Sequence, residues 1–125
     1  AFISIKQGSN TIVFGFYPKG SGLSSISGSG IMGDDGGHSY SSAWNVGSIT
    51  SIQLSKIIDK SIAFSSMDYS LGYNNCADFV LSIFGIVGTP QNISGIYTPN
   101  TVADLISTSA TSTNGTAPKT QRSCN

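Results

Sequence analysis

Charge is scarce in this 125-residue chain, which has six basic and six acidic residues and a formal net charge of zero. Every acidic residue is an aspartate, because the sequence contains no glutamate. A chain without a basic excess has no electrostatic attraction to nucleic acid or to an anionic membrane surface. It also lacks an apolar run long enough to cross a bilayer. We therefore expect no nucleic-acid partner and no membrane span.

Cysteine and histidine are also rare, since the chain has two cysteines, Cys76 and Cys124, and one histidine, His38. Small secreted domains that depend on disulfides normally contain more cysteines, although a single Cys76–Cys124 bridge remains open. One histidine and two distant cysteines do not make a zinc site. The glycine-rich stretch at 19–37 lacks the lysine and helix arrangement of a phosphate-binding loop. We expect no metal and no cofactor.

The length of the chain fits one domain with its own hydrophobic core, since 38% of the residues are hydrophobic. We place that domain at 1–106. Apolar residues almost disappear after it, which predicts a polar, flexible tail at 107–125. Ala1 falls inside a predicted strand, whereas chain ends are usually polar and frayed. We therefore expect a processed product or a fragment of a longer polypeptide.

Alternating residues and turn signals predict three strands. Residues 1–6 and 11–17 are rich in β-branched and aromatic residues and flank a turn at 7–10, which predicts a hairpin. Residues 19–37 are mostly glycine and serine, so they predict a long surface loop. Residues 38–46 alternate again and predict the third strand.

The first predicted helix covers 51–63. Thr50 is a favourable N-cap and Gln53 stands three residues later, which is the spacing of a capping box. An apolar stripe at helical spacing follows. Its members are Leu54, Ile57, Ile58, Ser61 and Ile62. Residues 67–74 are predicted to be a connector.

The second predicted helix begins at Cys76. Asn75 is a favoured N-cap, Asp78 occupies the third helical position, and Gly85 fits a C-cap. A short third helix is predicted at 99–106, with Thr98 or Asn100 as its cap. Together these elements predict an α+β fold, in which a small antiparallel sheet packs against two or three helices.

The position of Cys76 suits a nucleophile. A thiolate attacks carbonyl carbon, and the positive end of a helix dipole stabilises a thiolate at the first helical residue. We expect the N–H groups of Cys76 and Ala77 to serve as oxyanion donors, because helix starts present such groups to developing negative charge. One position would then supply both the nucleophile and the stabilisation of the intermediate.

Catalysis by Cys76 also needs a general base, and His38 is the only histidine in the chain. The second ring nitrogen of His38 needs an orienting partner, for which Asp35 is our first choice and Asp34 and Asn45 are alternatives. The candidate catalytic residues are therefore Cys76, His38 and Asp35. The same residues allow a second interpretation, in which Cys76 is an inert core residue and His38 is structural.

Residues 73–80, with the sequence YNNCADFV, resemble the Asn-Cys-x-Asp-Phe segment of circularly permuted papain-like domains. Those domains belong with the NlpC/P60 and lecithin:retinol acyltransferase-like proteins. In the permuted order the strands that carry histidine precede the helix that carries cysteine, and His38 likewise precedes Cys76. The resemblance implies a permuted papain-like version of the α+β fold.

Three further stretches resemble bacterial domains at the C-termini of Rhs-type and other secreted polymorphic-toxin proteins. They are 14–18 (FGFYP), 34–40 (DDGGHSY) and 98–100 (TPN). This resemblance implies a secreted effector or toxin domain, delivered out of the producing bacterial cell. A cognate immunity protein or an upstream region of the same polypeptide is the implied partner. One departure is that a Gly-His pair commonly opens the first strand of those domains, just ahead of the Ala-Phe-Ile-like run that begins this chain.

The activity implied by both resemblances is that of a cysteine-dependent amide hydrolase or peptidase, or of an acyltransferase. Cys76 would attack the carbonyl and a histidine would move the proton. A peptide, peptidoglycan or a protein is the expected substrate, and a lipid ester remains open. Two alternatives stand beside this function: a non-enzymatic module that binds a glycan or a protein, and an inactive fragment whose catalytic histidine precedes Ala1.

Overall fold

The computed structural model describes residues 1–88 and 96–123. Within these residues it has the predicted α+β architecture, with a four-stranded antiparallel sheet, a two-stranded sheet and three helices. The strands are β1 (Ile3–Gln7), β2 (Asn10–Pro18), β3 (Ser27–Asp34), β4 (Ser39–Ala43), β5 (Asp68–Ser70) and β6 (Ser112–Thr116). The helices are α1 (Ser51–Ser65), α2 (Cys76–Val87) and α3 (Pro99–Ile106), and a short 3-10 helix lies at Gly22–Ser25.

The main sheet has the strand order β1-β2-β3-β5. The predicted hairpin is confirmed, since β1 and β2 pair antiparallel with Ile3 opposite Phe14. The third predicted strand is confirmed as β4, which is shorter than predicted and pairs with β6 in the second sheet. The connector predicted at 67–74 is partly wrong, because it contains β5 at the edge of the main sheet.

The surface loop predicted at 19–37 is partly wrong, because β3 covers 27–34 of this stretch and pairs with both β2 and β5. The glycines that suggest a loop are required for packing. A Cβ atom added at Gly30 would lie 2.2 Å from the ring of Phe16, and one added at Gly33 would lie 2.9 Å from the ring of Tyr17. Glycine therefore lets two aromatic side chains of β2 lie directly against the backbone of β3.

The hydrophobic core lies between the main sheet and the first two helices. The ring of Phe16 on β2 meets the ring of Phe64 on α1 edge to face, with centroids 5.3 Å apart. Phe64 in turn meets Phe79 of α2 at 5.3 Å, and Phe79 meets Phe14 at 5.9 Å. Such pairs stabilise a core beyond the burial of their area. This aromatic chain fixes the position of α2 against the sheet.

The start of α1 is confirmed, because the capping box at Thr50 is formed. The predicted apolar stripe is only partly right. Ile57 and Phe64 are buried, whereas Ile58 and Ile62 are exposed. The buried face of α1 is therefore narrower than the apolar stripe that the sequence predicts. None of the described helices combines the length and the apolar character that crossing a membrane requires.

The polar tail predicted at 107–125 is wrong as far as Gln121. β6 pairs with β4, and Gln121 exchanges two backbone hydrogen bonds of 2.8 Å with Thr11 on β2. The hydroxyl of Thr120 donates to the carboxylate of Asp34 at 2.6 Å. The segment is polar because it lies at the surface, and it is held mainly by its backbone, which leaves little hydrophobic pattern in the sequence.

Helix α2 ends at Val87, and its C-cap is Gly88 rather than the predicted Gly85. Gly88 has φ 93° and donates its N–H to the carbonyl of Phe84. Gly85 lies inside the helix, and a Cβ atom added there meets nothing within 4 Å among the described residues. Gly85→Ala is therefore expected to raise the free energy of unfolding by about 1 kcal/mol. Gly88→Ala is expected to lower it by about 1 kcal/mol, because alanine is strained at positive φ.

Urea denaturation of the two variants beside the wild type checks this pair of effects. Both substitutions add the same methyl group three residues apart, so each serves as the control for the other. Equal changes in the free energy of unfolding would contradict the assignment of Gly88 as the C-cap.

Candidate active site

The start of α2 is fixed by the side chain of Asn75, which is buried. Its Oδ1 accepts hydrogen bonds from the backbone N–H groups of Ala77 (2.8 Å) and Asp78 (3.1 Å). Its Nδ2 donates to the carbonyls of Leu71 and Tyr97, each at 2.8 Å. The carboxamide thus makes four hydrogen bonds, two as acceptor and two as donor. Asn75 therefore holds three segments together: the start of α2, the connector before it and the segment before α3.

The capping box predicted from Asn75 and Asp78 is confirmed. Asp78 completes it by accepting the backbone N–H of Asn75 at 2.8 Å. Burial raises the pKa of the Asp78 carboxyl, and the hydrogen bond from Asn75 opposes that rise.

Cys76 is the first residue of α2, as predicted, and it is 8% exposed. It is a free thiol. The main-chain nitrogen of Ala1 lies 3.3 Å from its Sγ and donates a hydrogen bond to it. Cys124, the other half of the disulfide considered above, lies outside the described residues. The sulfur is therefore buried next to a polar donor from the start of the chain, 75 positions away in sequence.

One of the two predicted oxyanion donors is wrong. The N–H of Ala77 donates to Asn75 Oδ1 and so is already used by the cap. The N–H of Cys76 makes no hydrogen bond within the described part of the chain. A single unpaired helix-start N–H therefore remains beside the sulfur, since the cap that builds the helix start consumes the others.

The second half of the site surrounds Asp35, which is 1% exposed. The hydroxyl of Tyr17 donates to both carboxylate oxygens, at 2.7 and 2.9 Å. The Nδ1 atom of His38 lies 2.9 Å from Asp35 Oδ1, so the structure brings together the two residues that the sequence pairs. Because a carboxylate only accepts, Nδ1 carries the proton and Nε2 is left as the acceptor of the ring. The His38 side chain is 63% exposed.

The two alternative partners of His38 have other roles. Asp34 accepts hydrogen bonds from the hydroxyl of Thr120 and the N–H of Gly36, and these bonds lower the pKa of its carboxyl. Asn45 Oδ1 accepts a backbone N–H of the turn that follows it. Neither side chain has a hydrogen bond to His38 in the described part of the structure, so Asp35 is the partner among the three residues considered.

The two halves of the site meet at Gly15. A Cβ atom added there would lie 2.8 Å from the carbonyl oxygen of Ala1, 3.0 Å from the hydroxyl of Tyr17 and 3.0 Å from Asp35 Oδ2. Ala1 therefore touches the Cys76 sulfur through its nitrogen and approaches the Asp35 cluster through its oxygen. Only glycine leaves room for this convergence.

The structure does not join His38 to Cys76 by a hydrogen bond, although both residues are among those described. The atoms around Gly15 belong to Ala1, Tyr17 and Asp35 instead. The first choice from the sequence, Asp35 as the partner of His38, is therefore confirmed. The sequence gives no measure of the distance between His38 and the Cys76 thiol.

Sequence reasoning missed Tyr17 as a member of this site. Burial raises its pKa, and the hydrogen bond to Asp35 and the charges of Asp35 and Cys76 raise it further, so the hydroxyl keeps its proton. Alternation along β2 places Tyr17 on the face opposite the core residue Phe16, which is the signal that the sequence offers. That signal says nothing about which carboxylate the hydroxyl meets.

The raised pKa of Tyr17 predicts a loss of stability at alkaline pH. Unfolded tyrosine titrates near about pH 10, so the stabilisation from the protonated hydroxyl is complete below that value and decreases as the pH rises above it. Tyr17→Phe should remove part of this decrease. It should also lower the free energy of unfolding at neutral pH by about 1–3 kcal/mol, because buried Asp35 loses a donor.

Urea unfolding at about pH 8 and about pH 11 tests both effects. Tyr73→Phe is the matched control, because Tyr73 is 88% exposed. Identical pH dependence of the Tyr17→Phe and Tyr73→Phe variants would contradict the role given to Tyr17.

No family model matches this chain, and neither does any curated protein or solved structure compared with it. The geometry by itself defines a class of site. It consists of a buried free thiol at a helix start, one unpaired N–H beside the sulfur, and an adjacent Tyr–Asp–His cluster. Such an arrangement suits nucleophilic attack on a carbonyl group.

Proposed function

We propose that this protein is a cysteine-dependent amide hydrolase or peptidase, of the kind found in secreted bacterial effector and toxin domains. The observation that carries the proposal is the Cys76 thiol at the start of α2, which accepts a hydrogen bond from Ala1 at 3.3 Å and has its own N–H unpaired. An N–H without a partner at a helix start is the kind of donor that an oxyanion requires.

The reaction would follow the usual course for a thiolate nucleophile. Sγ attacks the amide carbon and the carbonyl electron pair moves to oxygen, next to the N–H of Cys76. The intermediate expels the amine, which takes a proton from the conjugate acid of the base, and leaves a thioester. Water then hydrolyses the thioester, and the base accepts a proton from that water.

His38 is the base that this chain itself offers. Asp35 holds its Nδ1, so Nε2 faces away from that carboxylate and is free to accept a proton. No hydrogen bond joins His38 to Cys76 in the described structure, so the proton would pass either through bound substrate or water or after the two side chains approach in the substrate complex. Asp35 and Tyr17 act here as positioning residues.

The contact between Ala1 and Cys76 favours a second source of the base. In a longer polypeptide, the residue before Ala1 would be bonded to the nitrogen that lies 3.3 Å from Sγ. The side chain of that residue would begin about three covalent bonds from this nitrogen. A histidine at that place is what the resemblance to permuted papain-like domains implies, and this chain without it would then be inactive.

The burial of Cys76 favours a different class of function as the second candidate. A thiol that is 8% exposed can be an inert core group. The protein would then be a non-enzymatic module that binds a glycan or a protein partner through its serine-, threonine- and glycine-rich surface.

Labelling with iodoacetamide at neutral pH separates these candidates. An active nucleophile should be labelled faster than Cys124, which serves as the internal control, and the Cys76→Ala variant should hydrolyse no member of a panel of peptides and peptidoglycan fragments. Slower labelling of Cys76 than of Cys124, with no hydrolysis by the wild type, favours the binding module. Loss of hydrolysis in His38→Ala assigns the base to His38, whereas hydrolysis gained only when Gly-His is added before Ala1 assigns it upstream.

A further inference from the structure

A cavity of about 1090 Å³ lies beside β1. All residues from 1 to 7 line it, as expected where the edge of a strand, rather than one face, forms the wall. The opposite wall is β4 with the residues that follow it, and the floor is apolar. Floor residues from α2 and α3 are Val80, Ile83, Phe84, Val102 and Ile106. Lys6 is the one charged side chain among the described residues that line the cavity.

The edge of β1 that faces this cavity has unpaired peptide groups. β1 is an edge strand, since β2 is its only partner among the described strands. Gln7 and Asn10 flank the two-residue turn, so their backbone groups hydrogen-bond to each other. Hydrogen-bonded positions recur every second residue in an antiparallel ladder, so Ile5 and Ile3 also bond to β2. The peptide groups of Ser4 and Lys6 therefore point away from β2, and they have no hydrogen bond within the described structure.

Thr11 and Val13, which lie opposite Lys6 and Ser4 on β2, also direct their backbone groups away from the β1–β2 pair. Thr11 exchanges its two backbone hydrogen bonds with Gln121, and the carbonyl of Val13 accepts the N–H of Asp35 at 2.9 Å. These groups point to the side of β2 that is away from β1. The intervening positions of β2 are thus the ones that bond to β1, as the hairpin register requires.

We propose that the cavity beside β1 binds the substrate as an extended, uncharged peptide that adds a strand to this edge. The peptide would pair with Ser4 and Lys6 and place its apolar side chains on the floor formed by α2 and α3. Cys76 is not among the residues that line the cavity, but Ala1 lines it and donates a hydrogen bond to the Cys76 sulfur, so a strand added along β1 would end next to the residue that contacts the thiol. From Ser4 to Ala1 the distance is about 10 Å, which is three residues of strand.

Two features of the cavity favour a peptide over an acyl chain. A bound hydrocarbon would cover the unpaired N–H and C=O groups of β1 and leave them without partners, which is costly. A peptide backbone supplies both a donor and an acceptor at the matching spacing. The near absence of charged side chains disfavours a strongly charged peptide, because its charges would be unpaired. The delivery of the peptide to Cys76 rests on the proposed hydrolase function, whereas strand addition does not.

The test uses the Cys76→Ala protein, labelled with ¹⁵N, so that binding is observed without cleavage. The probe is a mixture of end-capped pentapeptides made of valine, isoleucine, alanine, serine and threonine. We expect it to slow amide hydrogen exchange at Ser4 and Lys6 by about 10-fold, because both N–H groups gain an acceptor. Added to the same protein, Ser4→Pro removes one outward N–H without breaking a bond to β2, and should weaken binding about 10-fold. Ser4→Ala keeps that N–H and should bind as the parent does.

Three outcomes would overturn strand addition. The first is unchanged exchange at Ser4 and Lys6 in the presence of the peptide mixture. The second is equal binding by the Ser4→Pro and Ser4→Ala variants, provided that both remain folded by circular dichroism. The third is protection of the cavity residues by a neutral acyl probe, methyl octanoate, with none by the peptides. If the peptides bind as expected but the wild type cleaves none of them, strand addition stands and the hydrolase function fails.

Discussion

Replacement of Cys76 by alanine is expected to reduce amide hydrolysis by about 10³-fold or more, because it removes the atom that forms the covalent bond. The hydroxyl of Tyr17 is held by Asp35 and keeps its proton, since its pKa is raised. The loss should therefore appear in the rate of the chemical step and leave peptide binding intact.

Activity of the Cys76→Ala variant is measured on the most rapidly cleaved peptide of the panel. Cys124→Ala is the matched control, because it removes the same chemical group from the other cysteine of the chain. Thermal unfolding of both variants shows whether the fold persists. If Cys76→Ala retains more than a tenth of the wild-type rate, the thiol is not the nucleophile.

Asn75→Asp is expected to lower the free energy of unfolding by about 3 kcal/mol, which is a large share of the stability of a domain of this size. Aspartate can still accept the N–H groups of Ala77 and Asp78, so the helix cap itself can persist. It cannot donate to the carbonyls of Leu71 and Tyr97, which now receive 2.8 Å hydrogen bonds from Nδ2. Two carbonyl oxygens would then face a buried negative charge.

Urea unfolding of Asn75→Asp beside Asn45→Asp measures this effect. Asn45 is exposed, and its Oδ1 accepts a backbone N–H in the same way, so the control introduces the charge without removing a buried donor pair. We expect Asn45→Asp to change the free energy of unfolding by less than about 0.5 kcal/mol. Equal effects of the two substitutions would show that Asn75 is no more than a cap.

The placement of the Cys76 sulfur depends on this buried asparagine. Cys76 follows Asn75 directly, and the four hydrogen bonds of the carboxamide hold the helix start against two other segments. Loss of the Nδ2 bonds should therefore loosen the thiol as well as the fold. Faster iodoacetamide labelling of Cys76 in Asn75→Asp, relative to Asn45→Asp, is the expected sign of this loosening.

The elements predicted correctly are those whose cause lies within a few residues. The capping boxes that begin at Thr50 and Asn75 connect residues three positions apart, and the β1–β2 hairpin closes through a two-residue turn. The pairing of His38 with Asp35 is likewise an i, i+3 contact. Local spacing determines such features, because the interacting groups meet as soon as the backbone takes its preferred conformation.

The elements predicted wrongly depend on partners that are distant in sequence. The sequence of β3 resembles that of a loop because its glycines make room for the rings of Phe16 and Tyr17, which lie on another strand. β6 looks like part of a tail because its backbone, rather than its side chains, binds it to β4. Neither cause leaves a local pattern, so periodicity could not reveal either strand.

The sequence by itself determined where the thiol stands, at the first residue of a capped helix, and it limited the partner of the histidine to three nearby residues, of which Asp35 was the first choice. Only the tertiary structure decided what surrounds the sulfur. Ala1 reaches it across 75 positions of sequence, and Tyr17 joins Asp35 across 18. The physical reason is that packing of the sheet against α2 sets these approaches, and packing depends on the whole set of core side chains rather than on any segment alone.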